Sequence, residues 1–402
     1  MANLVATGEA ATRECRAALA LAGVVPATIR DISVPYRICP LGAHSDHQGG
    51  VVLGQAINVG THLAFVPTRS GTAACRLESL NYPGVAVFDA ASPVPPRAPA
   101  WARYAWAASC VVGKRAGGPM RGVEAVVQGD LPGGGLSSSA SVLVGWLLAF
   151  AAVNDVDFTA AQLVHAGLRA EVEGVGVKVG LLDPASIVAA RRGHLLAIDC
   201  ADESWQAVPP GPGASEARFL VCFSGVTRAL AGSEFNQRVT EAHAAAARLA
   251  AAGGLVATRL GELPDELWRA HGEDLPEPLR RRARHFFAER ARVLAGLEAW
   301  RCGDLIGFGA AMSASCRSSL VNWEVGSREL VALQGLLGEI PGVLGARFSG
   351  AGFAGCVVAL VEAGRAEACR DQIESLYCAA VPEFAMAARF FVAESVDGVQ
   401  PQ

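Results

Sequence analysis

The run Pro132-Gly133-Gly134-Gly135-Leu136-Ser137-Ser138-Ser139-Ala140 offers the first chemistry in this 402-residue chain. Three glycines allow a backbone to approach a ligand closely and to take positive φ. The hydroxyls that follow can hydrogen-bond a phosphate or coordinate a magnesium ion. An alternating stretch, GVEAVVQGD (122–130), precedes the run and a long apolar stretch follows it, so the loop reads as a strand-to-helix connection. A helix N-terminus presents unpaired N–H groups and the positive end of the helix dipole, which suits a phosphate. Taken alone, the same letters also describe a Gly-rich turn with serine caps. No GKS or GKT follows these glycines and the run itself contains no GxGxxG, which excludes a Walker A loop and a dinucleotide fingerprint at this place.

Three further segments carry polar residues at suggestive places. Arg37, His44, Asp46, His47 and Gln48 crowd into YRICPLGAHSDHQGG (36–50). Asp46 can accept two sugar O–H bonds, and His44 and Gln48 can donate or accept, although a polar surface loop has a similar composition. Gly180-Leu181-Leu182-Asp183 follows Glu171 and Lys178. Asp183, inside the apolar VGLLDPASIV, either caps a helix or is partly buried with a partner, and Arg37 is a candidate partner. GARFSGAGF (345–353) is a second Gly-rich turn, leading into CVVALV.

The elements that must position these residues alternate between helix and strand. Amphipathic or apolar helices are expected over about 9–23 and 101–114, then from the Gly/Ser run 132–140 to about Asn154, and over 159–173, 233–252, 276–300, 303–315, 326–338 and 364–377. Strands are expected at Ile29–Val34, VVLGQAI (51–57), 122–130, 193–200, 218–225 and CVVALV, with 36–50 a turn-rich segment. The fold class is therefore α+β, in two domains, 1–207 and 208–402. Hydrophobic residues make up 51% and charged residues 18%, enough to bury a large core. A net charge of −4 and a pI of about 6.1 give no footprint for nucleic acid and disfavour an anionic membrane surface. The apolar run Val142–Val153 falls short of the roughly 20 residues that span a bilayer. The N-terminus does not read as a signal peptide, and eleven scattered cysteines without a CxxC pair read as reduced thiols. These features place the protein in the cytoplasm. Oligomeric state is not legible in the sequence.

In this order, the segments resemble the three motifs of the GHMP kinase family and of its galactokinase branch. PYRICPLGAHSDHQGG resembles the sugar signature, PGGGLSSSAS the ATP-binding motif and GARFSGAGFAGC the third motif, while SGVTRALAGSEFNQR resembles a segment that closes over the sugar. The likeness spans about residues 30–360. It implies a two-domain fold with the active site in the interdomain cleft, and an ATP-dependent sugar-1-kinase using Mg²⁺. Asp183 then resembles the catalytic aspartate, and Arg37 the arginine that favours its ionised form and stabilises the transition state. Ser139 and Glu171 resemble magnesium ligands. Gly133, Gly134, Gly135, Leu136, Ser137, Ser138 and Ser139 resemble the phosphate cradle. His44, Asp46 and Gly180 resemble sugar contacts, and Trp101 and Tyr104 an aromatic stretch near the nucleotide.

Departures from the galactokinase pattern bear on the substrate. Galactokinases carry a glutamate at the place of Ala43, where it receives the sugar's 6-hydroxyl. Alanine removes a charge that would repel a 6-carboxylate. Lys178 or Arg228 could pair with a uronate carboxylate, though each could equally be a solvated surface cation. Phe235 stands where the family has a sugar-contacting tyrosine, and Pro184 replaces the usual glutamine after Asp183. The sugar signature as a whole has the form found in galacturonokinases. The expected reaction is therefore phosphorylation of D-galacturonate at its anomeric hydroxyl. Galactokinase activity is the alternative, and a non-catalytic sugar- and ATP-dependent sensor is the reading from another class.

Overall fold

The computed structural model describes residues 8–68, 71–227 and 234–401. Its first sheet is built around one long strand. β1 (Arg30–Leu41) leads to β2 (Val51–Pro67), then β3 (Ala74–Ser79), β4 (Val85–Asp89), β5 (Val123–Gly129), β6 (Leu195–Asp199) and β7 (Ser204–Val208). The order is β4-β3-β5-β2-β6-β7, with β1 along β2 as well. Leu53 pairs with both Leu41 of β1 and Ala197 of β6, so β1 takes one edge of β2 while β5 and β6 share the other. All pairs are antiparallel except β3 with β5. The second sheet contains β8 (Ala217–Phe223), β9 (Val343–Phe348), β10 (Cys356–Glu362) and β11 (Arg389–Ala393), antiparallel in the order β11-β8-β10-β9.

Helices cover both sheets: α1 (Gly8–Leu21), α2 (Ala102–Gly113), α3 (Ser138–Val153), α4 (Ala160–Arg169), α5 (Leu182–Ala189), α6 (Glu234–Ala252), α7 (Asp265–His271), α8 (Leu279–Cys302), α9 (Leu305–Val321), α10 (Arg328–Gly338) and α11 (Ala366–Ala380). This is the expected α+β class. α3 is apolar nearly all round because it is buried among β1, β2, α2 and α4. Leu143, Trp146, Leu147 and Phe150 are fully enclosed, each worth about 1.5–3 kcal/mol relative to exposure. No helix among the described residues is long and apolar enough to cross a membrane.

Several elements differ from the sequence expectation. The strand expected at 29–34 continues to Leu41, through half of the segment read as turns. Pro35 and Pro40 are tolerated because β1 is an edge strand, where a missing N–H breaks no central ladder. Pro35 pairs with Gly60 but Tyr36 with Ile57, an irregularity just before Arg37. The helix expected over 159–173 stops at Arg169, and Ala170–Val175 form a π-helical turn in which Gly176 N donates to Glu171 O at 2.9 Å. α5 and α7, of 8 and 7 residues, are too short to show a clear helical period. β3, β4, β7 and β11, of 5 or 6 residues, escape for the same reason. After β11 the chain returns to the first sheet. Asn58 N donates to Glu394 O, Val396 N to Ala56 O and Gly398 N to Ala190 O at 2.8–3.1 Å.

Candidate active site

A cleft of about 900 Å³ gathers most of the residues singled out above. Residues 36–183 form most of its lining, and Thr227, Phe235, Gly350, Ala351, Phe353 and Ala354 complete it. Arg37 and Asp183 meet there, although they lie 146 positions apart in the chain. Arg37 Nε donates to Asp183 Oδ1 at 2.8 Å, and Nη2 lies 2.7 Å from the same oxygen. Both contacts fall on Oδ1, so Oδ2 has no hydrogen bond from a described residue and remains available to a ligand. Asp183 lies in the first turn of α5. Pro184 follows it in the same turn, where its missing N–H breaks no intrahelical bond. That accounts for a proline at this place.

The glycine loop is held against the same arginine. Arg37 N donates to Leu136 O at 3.1 Å and Nη1 to Gly135 O at 3.3 Å. Gly133 N donates to Ser138 Oγ at 2.9 Å, and Ser137, with φ of 61°, turns the chain into α3. Gly135 has φ of +76°, and a Cβ there would stand 2.9 Å from Ser349 O. The third motif thus packs backbone to backbone behind the loop and fixes its curvature. Gly133, Gly135, Ser137, Ser138 and Ser139 line the cleft. Gly134 and Leu136 do not: Leu136 is a core residue whose carbonyl anchors Arg37. Five of the seven residues expected to cradle phosphate thus line the cleft.

Three carboxyl groups converge on the cleft. Burial, then the charge of Asp183, pushes Glu171 from 4.5 up to about 7. The same two causes raise Asp46 from 3.8 to about 6. Ser139 hydrogen-bonds Glu171, whose Oε2 is buried without a partner. An orphaned carboxylate oxygen with an adjacent hydroxyl near the N-terminus of α3, in a region of excess negative charge, has the oxygen chemistry that suits a hard divalent cation.

The sugar-signature residues form the next part of the wall. Ala43, His44 and Asp46 line the cleft. His44 stacks on Trp323 with ring centroids 5.3 Å apart. Burial, then His285 and Arg347, hold its imidazole well below the usual range, so it is neutral. Gly180 N donates to Asp46 Oδ2 at 3.1 Å, and a Cβ on Gly180 would stand 2.6 Å from the Asp46 carbonyl carbon. Gly180 is thus a spacer that lets α5 approach Asp46, and it does not itself line the cleft. Phe235 does line it, with its ring edge-on to His47.

Lys178 is placed elsewhere. Val175, Val177 and Val179 line the cleft. Lys178, between Val177 and Val179 in a tight turn closed by Val179 N donating to Val177 O at 3.0 Å, is exposed and its ammonium donates to Thr240 Oγ1 at 2.9 Å. Arg228 lies outside the described residues.

At the other end of the cleft, Trp101 and Tyr104 face Tyr82 and a proline-rich rim, Pro83, Pro95, Pro96 and Pro99. Pro95, Pro96 and Pro99 lie in ASPVPPRAPA (91–100), which reads as an ordinary surface connection, and Tyr82 and Pro83 carry no signal in the sequence. Thr227, beside Gly133, carried no signal of its own.

Residues 103–191 match the model of the GHMP kinases N terminal domain. The chain is 36% identical over 378 residues to a galacturonokinase of Arabidopsis thaliana, covering 89% of each protein. It is 32% identical to a galactokinase of Roseiflexus sp. (strain RS-1), covering 94% of this chain and 93% of that one. Its fold is similar to the crystal structure of Lactococcus lactis galactokinase complexed with galactose, with a TM-score of 0.85, 29% identity, and coverage of 95% and 98%.

Proposed function

The chain belongs to the GHMP kinase family as an ATP-dependent sugar kinase of the galactokinase type, and from that premise we propose that it phosphorylates D-galacturonate at the anomeric hydroxyl. The observation that carries the choice of sugar is Ala43. It is buried in the cleft wall between Gly42 and His44, where galactokinases carry a glutamate, and a methyl group leaves both room and freedom from repulsion for a carboxylate. The similarity to a protein named galacturonokinase supports this reading. D-Galactose is the second reading, supported by the galactose-bound structure of similar fold.

In this reading Asp183 Oδ2 receives the hydrogen bond of the C1 hydroxyl and takes its proton as the new O–P bond forms and the β–γ bridge bond breaks, releasing ADP. Arg37 fixes Asp183 through Oδ1 and brings positive charge to the transferring phosphoryl group. The N–H groups at the start of α3 and the Gly133–Ser139 loop hold the phosphates. Magnesium, when bound, neutralises developing phosphate charge, and Ser139 and Glu171 are the residues that would hold it. Gly350 and Ala351 close the back of the phosphate site. With ATP as donor, the reading places the reaction in the cytoplasm and divides the chain near residue 207 into domains 1–207 and 208–402.

ADP release from Mg-ATP, measured with D-galacturonate, D-galactose, D-glucuronate and no sugar, tests the proposal. Preference for galacturonate is expected. Preference for galactose would retain the kinase and overturn the substrate. Silence on all four sugars, with ATP-dependent association with a partner protein, would replace the enzyme by a sensor.

A further inference from the structure

If the substrate is a uronate, its carboxylate needs a counter-charge, and the exposed placement of Lys178 removes one candidate. The structure offers another in the second sheet. Arg37, Arg282 and Arg347 are the arginines that are nine-tenths or more buried among the described residues. Two have acidic partners. Arg37 pairs with Asp183; Arg282 pairs with Glu241 and Glu324 and also donates to Asn322 O. Arg347, fully buried on β9, has no carboxylate partner. Its Nη1 donates only weakly, to Cys39 O at 3.5 Å, with Cys39 Sγ at 4.0 Å. Nε and Nη2 are buried without any partner. A buried guanidinium with orphaned donors is costly unless something completes it.

The surroundings indicate where the missing anion belongs. Cys39 lines the cleft together with Ala43 and His44, so the guanidinium lies behind that part of the wall. His44, another lining residue, also has a buried Nε2 without a partner among the described residues. His285, which bonds to Ala43 O at 3.0 Å, and His44 both feel the positive charge of Arg347. Glu289, the carboxylate that feels the charge of Arg347, is already occupied. Its Oε1 accepts from Gly42 N and Ser315 Oγ, and its Oε2 pairs with Arg292.

We infer that Arg347, with His44 Nε2 beside it, is the counter-charge for the C6 carboxylate of a uronate seated against Ala43. The inference rests on the galacturonate reading and goes beyond it by naming the specificity-determining cation. The glutamate found here in galactokinases would supply the same anion from the protein. In this chain alanine passes that duty to the substrate.

Two experiments on the full-length protein separate this from the substrate reading. In the first, kcat/KM is compared for galacturonate and galactose. Arg347→Gln should lose about 30-fold or more on galacturonate, the size of a charge-assisted contact, and less than about threefold on galactose. Arg347→Lys should recover part of the loss. Equal losses on both sugars in a folded variant would overturn the inference while leaving the galacturonate reading standing.

The second experiment needs no change at 347. Ala43→Glu should raise the melting temperature, because the new carboxylate satisfies Arg347, and should abolish galacturonate turnover. A lowered melting temperature would show that a carboxylate at this place finds no cation, and would overturn the inference even if Arg347→Gln fails to fold. Wild-type protein that ignores galacturonate would instead remove the substrate reading, and the melting result would still decide whether Arg347 can pair with an anion beside Ala43.

Discussion

Glu171→Gln should make the ligand-free protein more stable at neutral pH, although it removes a residue assigned to magnesium. Burial and the charge of Asp183 raise this carboxyl from 4.5 to about 7. Between those values the folded protein holds a proton that the unfolded chain has released. Stability from this group is therefore fully present below pH 4.5 and is lost as pH rises through 7. At 1.36 kcal/mol per pKa unit the loss reaches about 3 kcal/mol by pH 8. Glutamine is neutral throughout and can still accept from Ser139. In EDTA, the melting temperatures of variant and wild type should coincide near pH 4.5 and diverge by about 4 °C at pH 8, using an unfolding entropy of about 2.1 cal/mol/K per residue. Scanning calorimetry across that range measures the gap. Turnover with Mg-ATP should move the opposite way and be nearly lost in the variant. A gap independent of pH, or a less stable variant at pH 8, would refute the account of Glu171 as a charge held in reserve for a cation.

Asp183→Asn should reduce kcat about 10³-fold, within the usual range for a general base, while circular dichroism and ATP binding stay near wild type; wild-type turnover would remove Asp183 from the chemistry. Gly135→Ala should cost about 1–3 kcal/mol in urea unfolding, from a positive φ of 76° and a Cβ placed 2.9 Å from Ser349 O, and should raise KM for ATP. Lys178→Met should leave galacturonate kinetics unchanged, since the ammonium faces Thr240; a loss of tenfold or more would put that lysine in the site.

How much of this was legible in the sequence depended on how local each signal is. The glycine loop, the histidine–aspartate cluster and the long apolar helix α3 are contiguous and could be read directly. The Arg37–Asp183 pair could only be suspected, because its two halves lie on β1 and α5 and meet through the fold. For Lys178 the sequence leaves a sugar-acid contact and a solvated surface cation equally open, and only the tertiary placement beside Thr240 favours the second. Glu171 was found by resemblance, but the π turn that carries it has no visible sequence signature, since AEVEGV would continue an α-helix equally well. Arg347 reads only as one letter of the third Gly-rich motif, with no role of its own. An arginine beside a Gly-rich turn reads as exposed, and its enclosure by Cys39, β10 and the histidine cluster is a purely tertiary fact.

The return of residues 394–398 to the first sheet has a mechanical consequence. The polypeptide passes between the two sheets at 208–217 and again after Ala393. The two crossings act like two pins: together with the buried core that joins Tyr36 and Leu53 of the first sheet to Phe219 and Val358 of the second, they oppose twisting or sliding of one wall past the other. The glycine loop and the third motif touch backbone to backbone, so a sliding motion would tear that seam. Shortening the chain before Glu394 would remove one pin. Its signature would be a cleft whose two ends lose alignment together, with sugar and nucleotide affinity falling in parallel while each sheet keeps its own hydrogen-exchange protection.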